Sequence, residues 1–225
     1  MFHNSFKNIF LLMILILPKP SQAIYAGNLT FSMAPEKSVV SKYIVNNNVS
    51  ARLYRVTVFG IDKPGANEIR TPVFPGELLY TPKQLVLQPS EGDFFKFQYN
   101  GPHDDKERYY RAIFYEISPE NRNIARTATS SVGMMPVVVL DTVLVVRPRK
   151  INFKWAYNRT NGTFKNTGNT WFKLLIKPFC TSTEEEGESW YLRPGDILRL
   201  PALKHASSTI IIYDERFIKT NNLCE

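Results

Sequence analysis

The chain has 225 residues, 44% of them hydrophobic, and carries 28 Lys and Arg against 20 Asp and Glu, a net charge of +8. That length suits either one large β domain or two of about 100 residues. The cations are scattered instead of gathered in a block, so the excess reads as a solvated basic surface and no nucleic acid is expected.

Lys7, the apolar run Ile9 to Leu17, Pro18 to Pro20 and the small-residue site Ser21-Gln22-Ala23 follow one another in the order of a secretory leader. Residues 1–23 are therefore expected to be a signal peptide cleaved after Ala23. The apolar run is about nine residues, where a membrane span needs about 20, so no membrane insertion is expected of the mature chain. In an exported chain the two cysteines, Cys180 and Cys224, are expected to form a disulfide that ties the chain end to the second half; a metal site is the minority reading.

Along the chain, short apolar runs alternate with Gly- and Pro-containing turns, and no long helical period occurs, which predicts an all-β fold. Ala51 to Phe59 alternates imperfectly, and Asp93 to Tyr99 cleanly, with Phe95, Phe97 and Tyr99 on one side of Lys96 and Gln98. Pro-Gly chemistry at Asp62 to Asn67 and Pro72 to Glu77 marks turns between them, and Leu85 to Leu87 is a further short strand. Glu107 to Ile117 places Tyr109, Arg111, Ile113, Tyr115 and Ile117 on one face. A charge on such a face must be paired, look into a cleft or snorkel to the sheet edge. Asn121 to Ser131 is polar and predicted to be a loop.

Gly133 to Arg147, GMMPVVVLDTVLVVR, is longer than an average strand of about six residues. A central strand would lose a ladder hydrogen bond at Pro136, whereas an edge strand turns that missing donor outward. An exposed apolar edge is normally blunted, so keeping one points to pairing with another chain. Asp141 interrupts the run and is expected to pair with Arg111, Lys42 or Arg147.

Arg147-Pro148-Arg149-Lys150 breaks the pattern as a hinge, dividing the chain into 24–148 and a smaller unit, 149–225. The second unit is predicted to hold about six short strands. They are Ile151 to Tyr157, Thr163 to Asn166, Thr170 to Lys177, Trp190 to Leu192, Ile197 to Leu200 and Ser208 to Tyr213. Asn166-Thr167-Gly168-Asn169 reads as a hairpin turn joining the second and third, and Glu184 to Glu188 as a solvated loop.

No catalytic constellation is legible. The mature chain's His103 and His205 sit in polar turns without ligand spacing, and no nucleophile elbow, zinc-protease pair or phosphate-cradling glycine loop occurs. The expectation is a binding protein and not an enzyme, with neither cofactor nor metal. A hydrolase would need a deep pocket placing His103 or His205 beside a nucleophile. Asn-x-Ser/Thr triplets at Asn28, Asn48, Asn158 and Asn161 keep open a secreted immunoglobulin-like adhesion or receptor module.

Four stretches carry a more specific resemblance: LLYTPKQLVLQPSEGDFFKFQYNGP (Leu78 to Pro102), DDKERYYRAIFYEISP (Asp104 to Pro119), TVLVVRPRK (Thr142 to Lys150) and FKNTGNTWFKLLIKPFC (Phe164 to Cys180). In that order they resemble the periplasmic pilus-assembly chaperones of the chaperone-usher pathway, nearest to those of the common pilus and related alternate-class fimbriae. The resemblance implies two immunoglobulin-like β-sandwiches set as a boomerang. It also implies pilus (fimbrial) subunits and an outer-membrane usher as partners, and raises the question of a self-capping dimer when idle. Donor-strand complementation would place Val132, Met134, Pro136, Val138 and Leu140 on the donating face, with Val137 and Val139 as the other parity. The subunit's C-terminal carboxylate would be held by a basic residue of the first strand, here Lys42 in SVVSKYIV (Ser38 to Val45). The family's second cleft cation falls on Val143, so Arg111 is the expected substitute with Arg147 behind it; Arg147 is also the family's interdomain salt-bridge candidate.

Overall fold

The computed structural model describes residues 24–118 and 138–224. The expected leader, the loop at Asn121 to Ser131, and Val132, Met134, Pro136 and Val137 lie outside those residues.

The first half contains β1 (Ile24–Tyr25), β2 (Thr30–Met33), β3 (Val39–Asn46), β4 (Arg52–Ile61) and β5 (Arg70–Thr71). After them come β6 (Leu78–Thr81), β7 (Gln84–Leu87), β8 (Gly92–Tyr99), β9 (Arg108–Ile117) and β10 (Val138–Val146). One sheet runs β1-β3-β8-β6 and the other β2-β10-β9-β4-β5, with β7 on β4. The clean alternation of β8 buries Phe95, Phe97 and Tyr99 between the sheets and leaves Lys96 and Gln98 in water. Each fully buried phenylalanine contributes about 1.5–3 kcal/mol. On β9 it is Tyr110, Ala112 and Phe114 that enter this core, so the face bearing Arg111 is the other one.

Ser38 to Val45, expected as the first strand, is β3. Two strands of two and four residues precede it, too short to show a period. They belong to different sheets: β1 pairs β3, and β2 pairs β10 in parallel. Gly27, at φ +59°, supplies the left-handed turn of the crossing.

The second half contains β11 (Trp155–Asn158), β12 (Thr163–Asn166), β13 (Phe172–Lys177), β14 (Glu188–Leu192), β15 (Ile197–Arg199), the short helix α1 (Ala202–His205), β16 (Ser208–Tyr213) and β17 (Arg216–Asn222). Its sheets are β11-β12-β15 and β14-β13-β16-β17, packed around Phe164, Phe172, Leu174 and Ile211. Three expectations are corrected. Ile151 to Lys154 is extended chain that lends Ile151 and Phe153 to the core without joining a ladder, because Asn152 instead bonds Asn169. Arg216 to Asn222 is a seventh strand, whose polar composition hides its period. The turn at Asn166 to Asn169 is not a hairpin: β12 and β13 lie in different sheets.

The reason lies in Asn166. Fully buried, its amide donates to the carbonyls of Thr170 at 2.8 Å and Leu192 at 3.0 Å, and so carries the chain across the sandwich. Asn46 does the same at the end of β3, donating to Ser50 O at 2.9 Å and Leu87 O at 3.0 Å. The Cys180–Cys224 disulfide is formed and fastens the tail beyond β17 to the end of β13.

Candidate functional site: an interdomain cleft and an open strand edge

Lys42 leaves β3 on the face that sends Val40 and Ile44 into the core. It is only 6% exposed. Its ammonium donates to the Asn28 carbonyl, delivered by the Gly27 crossing, and lies 5.0 Å from the Phe31 ring centroid. No ion pair to Lys42 forms among the described residues, so burial stands uncompensated and lowers its pKa. It lines a cleft of about 830 Å³ whose far wall comes from the second half, including Trp171, Lys173 and Tyr191. A buried ammonium facing a cleft without a counter-ion can pair with an anion.

Arg147 lines the same cleft but is already engaged. Its guanidinium donates to the Thr170 hydroxyl at 2.5 Å and to Trp171 O at 3.3 Å, and stacks over the Trp171 and Tyr213 rings. Thr170 in turn donates to Glu107 at 2.7 Å, and Glu107 also accepts from the Trp171 N–H and the Tyr109 hydroxyl. Glu107 is 3.9 Å from Arg147. Burial pushes the Glu107 carboxyl up, against those hydrogen bonds and the guanidinium. This relay spans the two halves and fixes their joint, assisted by Arg149, which donates to Pro35 O and Lys37 O.

Arg111 does not line this cleft. Glu68 takes its guanidinium in a two-point pair, accepting Nε at 3.1 Å and also Nη2. Burial opposes ionisation of Glu68, yet the hydrogen bonds from Arg111 and Arg70 outweigh it and hold the carboxyl below its usual value. Pairing, one of the three options for a charge on that face, is the outcome. The loop carrying Glu68 gave no sequence signal for it. Lys173, which sequence reasoning missed, does line the cleft; as the second residue of β13 it alternates with the buried Phe172 and Leu174.

The expected partner for Asp141 is absent: it is exposed and forms no salt bridge among the described residues. The correction is physical. Its stretch of β10 is not covered, so water solvates the carboxylate and no buried counter-ion is needed.

β10 itself is paired in two ways. Val143 to Val146 lie between β9 and β2, hydrogen-bonded to both. Val138 to Thr142 pair with β9 alone, and their other edge has no strand among the described residues. One face of the strand starts buried at Val146, Leu144 and Thr142, is half-buried at Leu140 and reaches 38% exposure at Val138. That face thus runs out of its own core. On the opposite face Val139 is 50% exposed.

No protein-family model matches the chain. It is 52% identical over 204 residues to a protein of Escherichia coli strain K12 named probable fimbrial chaperone EcpE, covering 91% of this chain and 86% of that one. The solved E. coli chaperone DraB aligns with a TM-score of 0.58 at 16% identity over 89% of this chain and 97% of its own. The SafB chaperone, solved in complex with the Salmonella enterica SafA pilin, aligns with a TM-score of 0.53 at 12% identity over 91% and 96%.

Proposed function

This chain belongs to the fimbrial chaperones, and from that premise we propose that it binds pilus subunits in the periplasm, caps them by lending the open edge of β10, and hands them to an outer-membrane usher. The mature chain on this reading starts at Ile24 and divides into a donor-strand domain, 24–148, and a second domain, 149–225.

The observation that carries it is the exit of one β10 face from the core beside an edge, Val138 to Thr142, that pairs with β9 alone among the described residues. A subunit lacking a strand would pair along Val138 to Thr142 and the segment before it, with main-chain hydrogen bonds supplying affinity. Val138 and Leu140, continued by Pro136, Met134 and Val132, would enter the subunit's groove at alternate positions and set the register. The subunit's C-terminal carboxylate would sit at Lys42, with Arg147 behind it holding the cleft wall. A lysine gives the charge without a bidentate fork, so register would be enforced mainly by the strand. The SafB chaperone, which shares the fold, has been solved with a pilin, consistent with this partner class.

The test is co-production with the cognate subunit. Lys42→Ala should abolish recovery of the one-to-one complex; undiminished recovery removes Lys42 from the site.

A further inference from the structure

The second sandwich is not closed along β14. That strand pairs with β13 alone and ends its sheet, so alternate main-chain groups on its other side meet no strand among the described residues. The pairs Phe172 with Leu192, Leu174 with Trp190 and Ile176 with Glu188 share the core-facing side. All three members on β13 are sealed, yet on β14 only Leu192 is; Trp190 is 38% exposed and Glu188 is exposed. A cavity of about 430 Å³ opens at this point, between the end of β13 and α1. Ile176, Phe179, Ala202 and Ala206 give it an apolar lining, and Glu186 and Glu188 stand in its wall. Neither carboxylate forms a salt bridge among the described residues; Glu186 accepts the Thr183 N–H at 2.9 Å.

We propose that this mouth and the adjoining β14 edge dock an extended segment of a partner protein, one that carries apolar side chains and Lys or Arg on the same face. Main-chain pairing along Glu188 to Trp190 holds the segment as an added strand. Its apolar side chains then enter the mouth, and its cations meet Glu186 and Glu188. Charge selects this class: Glu184 to Glu188 gathers carboxylates beside the mouth on a chain whose net charge is +8, so an acidic segment is repelled there and a basic one drawn in. A second copy pairing β14 with β14 about a two-fold axis brings these carboxylates toward their own images, which disfavours it as the occupant. The mouth shares no lining residue with the Lys42 cleft, and the proposal does not depend on the reading of that cleft.

The experiment titrates the mature chain into the fluorescein-labelled peptide Lys-Thr-Val-Thr-Ile-Thr-Lys and follows anisotropy at low salt. This peptide should bind about tenfold more tightly than versions with Glu for Lys, or with Ser for Val and Ile. Glu186→Lys combined with Glu188→Lys, and separately Ala202→Trp at the mouth, should each weaken binding about tenfold. Val138→Asp and Lys42→Met should leave it unchanged. Methylating the main-chain nitrogens of the threonines in one peptide, and of Val and Ile in another, should abolish binding in one of the two, because only alternate amides of an added strand face β14. Equal binding of the three sequences, binding retained by both methylated peptides, or loss with Val138→Asp and not with the Glu variants overturns the proposal. A dimer seen by sedimentation and dissolved by Ala202→Trp assigns the mouth to a second copy and overturns it as well. Subunit complex recovered with Ala202→Trp should equal that of the unaltered chain, so failure here leaves the Lys42 site and the β10 edge untouched.

Discussion

Lys42 and Ile44 leave β3 toward the same interior, two residues apart, yet Ile44 is sealed in the core while Lys42 ends at the cleft. Replacing the ammonium by a side chain of similar volume therefore separates binding from folding. Lys42→Met should leave stability unchanged or raise it by about 1 kcal/mol, because a desolvated charge is removed, while subunit complex falls at least tenfold. Burial lowers the folded-state pKa of Lys42, so the unfolded chain binds the proton more tightly. Wild-type stability should accordingly rise as pH climbs through that lowered value toward the ordinary 10.5, and the Met variant should lack this rise in urea melts.

Val138 stands where the β10 face has left the core, so a charge there meets water in the free protein and a groove in the complex. Val138→Asp should change the unfolding free energy by no more than about 0.5 kcal/mol and eliminate recovery of the subunit. A variant that still co-purifies with subunit would show that the edge is not where pairing occurs.

The Arg147–Thr170–Glu107 relay makes the joint sensitive to a single deleted group. Thr170→Val leaves the buried guanidinium and carboxylate without their shared hydroxyl and should cost about 3 kcal/mol. Because burial raises the Glu107 pKa above its ordinary 4.5, the native state holds that proton more tightly than the unfolded chain. The resulting stability is present below 4.5 and declines as pH rises through the raised value. Glu107→Gln should flatten that decline; unfolding curves of the two proteins recorded from pH 4.5 upward give the comparison.

The Cys180–Cys224 bond spans 44 residues of sequence, and on the chain-entropy account its loss should cost about 3–4 kcal/mol. Cys224→Ser and reduced wild type should melt together, both below the oxidised protein. A variant as stable as the oxidised protein would mean that β17 is held by its ladder alone.

Strand identity was readable wherever alternation was strong, as in β8 and β9, whereas the expected edge is only part of β10: Val143 to Val146 lie between β9 and β2, a strand too short to show a period, and Val138 to Thr142 pair with β9 alone among the described residues. Lys42 was reached through the resemblance and not through its pattern, since SVVSKYIV does not reveal which parity faces the core. Arg111 shows the opposite failure: its place on an apolar face was legible, but its partner Glu68 sits on a loop 43 residues away, and such pairings leave no local trace. The same holds for the cleft wall. Trp171, Lys173 and Tyr191 share a cleft with Lys42 because the Asn166 turn crosses between sheets, and a hairpin reading of that turn sends β13 to the wrong layer.

Asn46 and Asn166 give each half its own latch, a buried amide bridging a nearby carbonyl and a distant strand, and neither latch draws on the other half. A fault in one sandwich's crossing therefore leaves the other's in place, and the cleft between them can change its lining, as at Lys173, without touching either latch.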